Sequence, residues 1–114
     1  MIQTLNTPEI HVNDFGTQLR FTVKNSPTQP FNLSETDAVN LWFRRPDATS
    51  FYVVCTLEQP EDSTLEPGET GEVFYILEEG DVDVAGQWYF QLEIIFPFGS
   101  WRTSIIPRII YPNI

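Results

Sequence analysis

Between residues 17 and 24 the chain alternates without a break. Leu19, Phe21 and Val23 fall on one side, and Gln18, Arg20, Thr22 and Lys24 on the other. A period of two is the signature of a strand with one dry and one wet face. Runs rich in β-branched and aromatic residues predict further strands at residues 9–13, 38–45, 51–57, 71–77, 87–96 and 101–106. Nine prolines and six glycines punctuate the intervals, and no stretch sustains a helical period. Residues 45–50 read as a hairpin connection, 58–69 as an acidic loop and 97–100 as a tight turn. Seven short strands at this spacing predict an all-β protein, an antiparallel β-sandwich of about seven strands. With 114 residues and no linker or internal repeat, one domain spans residues 1–114. Residues 1–8 and 107–114 are expected to be extended terminal segments.

The strands differ in how many faces they make apolar. In 38–45, Val39, Leu41 and Phe43 share a face while Trp42 lies opposite. In 51–57, Phe51, Val53, Cys55 and Leu57 share a face while Tyr52 and Val54 point away. In 87–96, Trp88, Phe90, Leu92, Ile94 and Phe96 form an inward stripe, opposed by Tyr89, Gln91, Glu93 and Ile95. The expected core is therefore Leu19, Phe21, Val23, Val39, Leu41, Phe43, Trp88, Phe90 and Leu92. If the three two-faced strands pair, their sheet carries an apolar outer surface, which either loops and tail cover or a partner does. The last residues, Ile109, Ile110, Tyr111 and Ile114, are too apolar for a free tail. Pro107 should weaken or bend the final strand. Beyond it the segment either folds back over Trp42 and Tyr52 or reaches a neighbouring subunit, the second being favoured. Trp42, Tyr52, Val54, Tyr89, Ile109, Ile110 and Tyr111 are the candidate protein-interface residues.

Charge narrows the partners. Sixteen acidic residues against six basic ones give a formal net charge of −10, a field that repels phosphate backbones, and only Arg44 and Arg45 are adjacent cations. Nucleic acid is not an expected partner. Nor is a membrane, since nothing approaches the ~18 apolar residues of a span, and the first eight residues lack the features of a signal peptide. Cys55 is the only cysteine, so no internal disulfide forms; it reads as a small buried hydrophobe rather than a nucleophile or redox sensor. His11 has no nearby Cys or His to complete a zinc set. The segment 78–83 carries Glu78, Glu79, Asp81 and Asp83, but lacks the ligand spacing and closing Glu of a calcium loop. Phosphate-binding, dinucleotide and nucleophile-elbow motifs are missing from the sequence. The expectation is a chain with no catalytic residues, no metal and no cofactor, which binds or builds rather than catalyses.

One segment is more specific. Asp83-Val84-Ala85-Gly86-Gln87-Trp88-Tyr89-Phe90 has the form of the turn into the penultimate strand of immunoglobulin-like sandwiches, where an aromatic residue plugs the core. Taken in order, residues 16–23, the Phe31-Asn32-Leu33-Ser34 step, the Arg45-Pro46-Asp47 turn, residues 85–90 and a last strand near Trp101 together resemble a known family. It is the N-terminal immunoglobulin-like domain of upper baseplate proteins of tailed bacteriophages. The resemblance spans roughly residues 10–110. It departs at Ala48, which stands where that family's turn has glycine, and where the chain ends without a linker and further domains. It implies no catalytic residues. It implies a structural or assembly protein of a phage virion (tail, baseplate, fibre or neck component, or capsid decoration) working by protein–protein contacts. Its partners would be other virion proteins and repeated copies of itself, and it would assemble in the host bacterial cytoplasm. The alternative is a carbohydrate-binding module in which Trp42, Tyr52, Tyr89 and Trp101 stack on sugar rings.

Overall fold

The computed structural model describes residues 2–114 of the chain. It is all-β, an immunoglobulin-like sandwich of two packed sheets. The strands are β1 (Ile2–Asn6), β2 (Ile10–His11), β3 (Gln18–Ser26), β4 (Gln29–Pro30), β5 (Ala38–Arg44), β6 (Ser50–Val54), β7 (Thr56–Leu57), β8 (Glu72–Ile76), β9 (Gly86–Phe96), β10 (Gly99–Arg102) and β11 (Ile106–Tyr111). One sheet runs β1-β3-β8-β7, with β4 alongside β3. The other runs β2-β11-β9-β5-β6, with β10 also on β9. Pairing is antiparallel except where β2 meets β11 in parallel over two residues. The two strand orders match the two sheets of a variable-type immunoglobulin sandwich, with β5, β9 and β11 in the places of the C, F and G strands.

The inward stripes meet between the sheets. Leu19, Phe21 and Val23 of β3 face Val39, Leu41 and Phe43 of β5 and the Trp88–Ile94 stripe of β9, and all are buried. Each such side chain contributes ~1.5–3 kcal/mol by leaving water. Phe43 stands edge-on to both Trp88 and Phe90, with centroids 6.4 and 5.1 Å apart. Trp88 is fully buried yet satisfied, because its Nε1 donates to the Val84 carbonyl at 2.9 Å. The bond ties the plug back to the preceding turn, the role a tyrosine corner performs elsewhere. Gly86 opens β9 at a φ of 135°, and a Cβ there would lie 2.8 Å from the Pro46 ring. The Ala-Gly step is therefore a close-packing requirement as well as a turn signal.

Several expectations are corrected. Residues 51–57 are not one strand: β6 leaves its sheet at Cys55, whose N–H still donates to the Val39 carbonyl at 2.8 Å, and β7 joins the other sheet against β8. Residues 101–106 are not one strand either. β10 stops at Arg102, Thr103 carries the ladder by bonding Leu92 through both backbone and hydroxyl, and β11 begins at Ile106. Within the terminal segments, residues 2–6 pair with β3, and Met1 lies outside the described residues. The segment 106–111 neither folds over the Trp42–Tyr52 face nor leaves the domain, but pairs with β9 from Phe90 to Gly86. Pro107 is accommodated because β2 reaches only Ile110 and Tyr111, leaving Pro107 where one side of β11 is an edge.

Candidate functional site

Register decides what each sheet shows to solvent. Along β9 the outward positions pair across to β5 as Gln91↔Trp42, Glu93↔Asn40 and Tyr89↔Arg44, and β5 passes the face on to β6 as Trp42↔Tyr52 and Asn40↔Val54. On the other flank Tyr89↔Pro107 and Gln87↔Ile109 extend it to β11. Trp42, Tyr52, Val54, Tyr89, Ile109 and Tyr111 thus come together on one outer face. Ile110 does not: it pairs with Gly86 on the inward side and is fully buried, so it is a core residue and not an interface residue. Trp101 is also separated from this face. It pairs with inward-facing Ile94 and packs on Phe96 and Phe98 at the end of the sandwich, with centroids 5.5 and 6.0 Å away.

The middle of the face is held by a polar cluster. Glu93 accepts from Trp42 Nε1 at 3.0 Å and from Asn40 Nδ2 at 3.3 Å through one carboxylate oxygen, and from Arg102 at 3.4 Å through the other. The Trp42 bond, then the Asn40 bond and the Arg102 charge, outweigh desolvation and hold the Glu93 carboxyl below its ordinary value. Arg102 lies over the Trp42 ring at 5.0 Å, and Arg44 over the Tyr89 ring at 4.5 Å. Trp42 and Tyr52 lean together at 5.0 Å with a 41° tilt. Trp42, Arg44, Tyr89, Gln91, Arg102 and Ile105 frame a shallow depression of about 210 Å³. Asn40, Glu93, Arg44, Arg102 and Ile105 were not singled out from sequence. Glu93 carried the available signal, an acid at an outward position in the most apolar strand.

Acidic groups lie elsewhere. Of the sixteen, only Glu72 and Glu93 fall within strands. In the 78–83 segment Asp81 is committed locally, accepting from the Tyr75 hydroxyl at 2.6 Å and the Glu78 N–H at 2.8 Å. Burial first, and then this Asp81 bond, raise the Tyr75 pKa. No group of three or more metal-ligating side chains occurs among the described residues. Cys55 is buried, and desolvation pushes its thiol up to about 12, which makes it a packing residue rather than a nucleophile. A wider hollow of about 470 Å³ lies beside β11 and the β1–β2 connection. Its polar groups are already engaged: Thr7 donates to Gln18, Glu9 pairs with His11, and Arg108 donates to the Leu5 and Pro107 carbonyls. Searches against protein-family models, curated proteins and solved structures find no match to this chain.

Proposed function

We propose that this chain is a structural assembly module that docks on another protein through the outer face of the β2-β11-β9-β5-β6 sheet. In keeping with the baseplate-domain resemblance, its setting is a tailed-phage virion, as a tail, baseplate, fibre, neck or capsid-decoration component assembled in the host cytoplasm. The observation that carries the reading is the gathering of Trp42, Tyr52, Val54, Tyr89, Ile109 and Tyr111 on one face, with Glu93 the sole carboxylate among that sheet's strands. Trp, Tyr and Arg are the residue types that carry most interface energy, and charged residues are depleted at interface centres. Arg44 and Arg102 lie over rings, so less side-chain freedom remains to be lost on docking. The loops, where the acids lie, keep the free subunit soluble.

The carbohydrate-binding alternative loses support from the same geometry. Its four aromatics are split between two places, and guanidinium groups already occupy faces of Trp42 and Tyr89. A photo-cross-linker at position 111 tests the two readings, with one at Phe15 as control. Cross-links from 111 to another virion protein in purified particles support docking. A chain absent from particles, or one whose tryptophan fluorescence titrates with oligosaccharide while 111 captures no protein, overturns it.

A further inference from the structure

Besides β4, β10 and the Pro107 stretch of β11, which carry proline, glycine or arginine, four terminal strands edge the two sheets, and they are not equally protected. β2 is two residues long and follows Pro8 and Glu9; β7 is two residues long and runs into Glu58 and Pro60. β1 is covered, since Gln3 donates to the Ser104 carbonyl and Arg108 donates to the Leu5 carbonyl at 3.3 Å. β6 is different. Its five residues, Ser50-Phe51-Tyr52-Val53-Val54, contain no charge, proline or glycine, and the uncharged run extends from Ala48 to Leu57. Natural edges are normally blunted by the devices β6 lacks.

The hydrogen-bond phase shows which groups are free. Arg45 donates to the Thr49 carbonyl and Cys55 to the Val39 carbonyl, both at 2.8 Å, which sets residues 49, 51, 53 and 55 as those bonded toward β5. The N–H and C=O groups of Ser50, Tyr52 and Val54 therefore point away from the sheet. Their side chains are the exposed ones, Tyr52 at 53% and Val54 at 61%.

We propose that β6 pairs antiparallel with β6 of a second copy about a two-fold axis through Tyr52, making one continuous sheet across the dimer. Tyr52 then faces Tyr52 and Ser50 faces Val54, and each pair exchanges two backbone hydrogen bonds. The occupant is a second copy because the seam is self-complementary and neutral. In a molecule of net charge −10, like surfaces can meet only where the acids are absent, and β6 is such a place. The pairing also makes the outer faces of the two copies continuous, and so deepens the docking proposed above: it supplies a second copy beside the same surface.

Sedimentation equilibrium of the full chain tests this. A five-residue seam belongs with small interfaces, so the expected result is a reversible dimer with a Kd of about micromolar. Val54→Lys should weaken association at least about tenfold while leaving the monomer's melting temperature unchanged. Tyr52→Cys should oxidise rapidly to a disulfide-linked dimer, because position 52 faces itself. Val54→Cys should not, because it faces Ser50, and Cys55 stays silent in both because it is buried. A chain that stays monomeric, a Val54→Lys variant that dimerises like the parent, or a Tyr52→Cys variant that links no faster than Phe15→Cys would overturn the pairing. Failure here with intact cross-linking from position 111 leaves the docking reading standing. A β6 dimer without any captured virion protein removes that reading and keeps the dimer.

Discussion

The two sheets of this sandwich share a core but finish their outer faces differently. On the β1-β3-β8-β7 sheet the outward positions of β3 are Gln18, Arg20, Thr22 and Lys24, and Arg20 pairs with Glu58 at 3.0 Å while lying over Phe74. Thr4 stands opposite Thr22, and Thr56 opposite Phe74. That surface is mainly polar, with Phe74 and the exposed Ile76 of β8 the apolar residues on it. On the β2-β11-β9-β5-β6 sheet the outward positions mix aromatic and aliphatic side chains with Asn40, Arg44, Gln87, Gln91 and Glu93. The central ionised group, Glu93, is hydrogen-bonded to its neighbours on the face. The difference teaches that a sheet face with several exposed aromatic and aliphatic side chains can carry polar bracing of its own, here the bonds of Trp42 and Asn40 to Glu93.

The largest expected effect comes from the residue on which both sheets depend. Trp88→Ala should cost about 3–5 kcal/mol in urea unfolding, since it empties the centre of the core and removes the bond to Val84. A loss below about 1 kcal/mol would mean that the stripe does not face inward.

Next in size is the bracing itself. Glu93→Ala leaves buried Asn40 and the Trp42 indole N–H without their acceptor, and should cost about 1–3 kcal/mol. Thr22→Ala, at a solvated position of the opposite sheet, should stay within about 0.5 kcal/mol. Equal losses at the two positions would erase the contrast between the faces. The pH profile sharpens it further. Because the folded state holds the Glu93 carboxyl below its ordinary value of 4.5, its contribution is fully present above that value. It is lost as pH falls through the folded-state value. Glu93→Gln should therefore lower stability at neutral pH and narrow its gap from the parent below about pH 4.5 in acid unfolding.

The smallest expected gain lies at the tip of the β5–β6 hairpin. Ala48 adopts a φ of 71°, a left-handed conformation that costs an L-residue about 1 kcal/mol or more. Ala48→Gly relieves that strain, partly offset by the greater freedom of glycine in the unfolded chain, for a net stabilisation of about 0.5 kcal/mol. A thermal melt that falls on this change would show that the turn is held by the alanine side chain instead.

Alternation along 17–24, 38–45 and 87–96 was enough to place Leu19, Phe21, Val23, Val39, Leu41, Phe43, Trp88, Phe90 and Leu92 inside, because a period of two fixes which side of a strand is apolar whatever it packs against. It also marked Trp42, Tyr52, Val54 and Tyr89 as facing the other way. At Ala48 the family resemblance expected glycine, and the left-handed φ of 71° is seen only in the structure. What periodicity could not decide was which strand meets which. Residues 51–57 read as one uninterrupted run, yet the chain crosses between sheets at Cys55, since closing the sandwich places Leu57 against Val73 rather than along β5. The last residues read as a surplus arm because local sequence cannot show that β9 extends far enough to accept β10 and β11 in succession on one side. Their parity was then set by pairing, which buried Ile110 opposite Gly86 and left Ile109 and Tyr111 outside. Side-chain direction along a strand is a local property of the backbone; partner, register and the Asn40–Trp42–Glu93 cluster arise only when residues more than fifty positions apart are brought together.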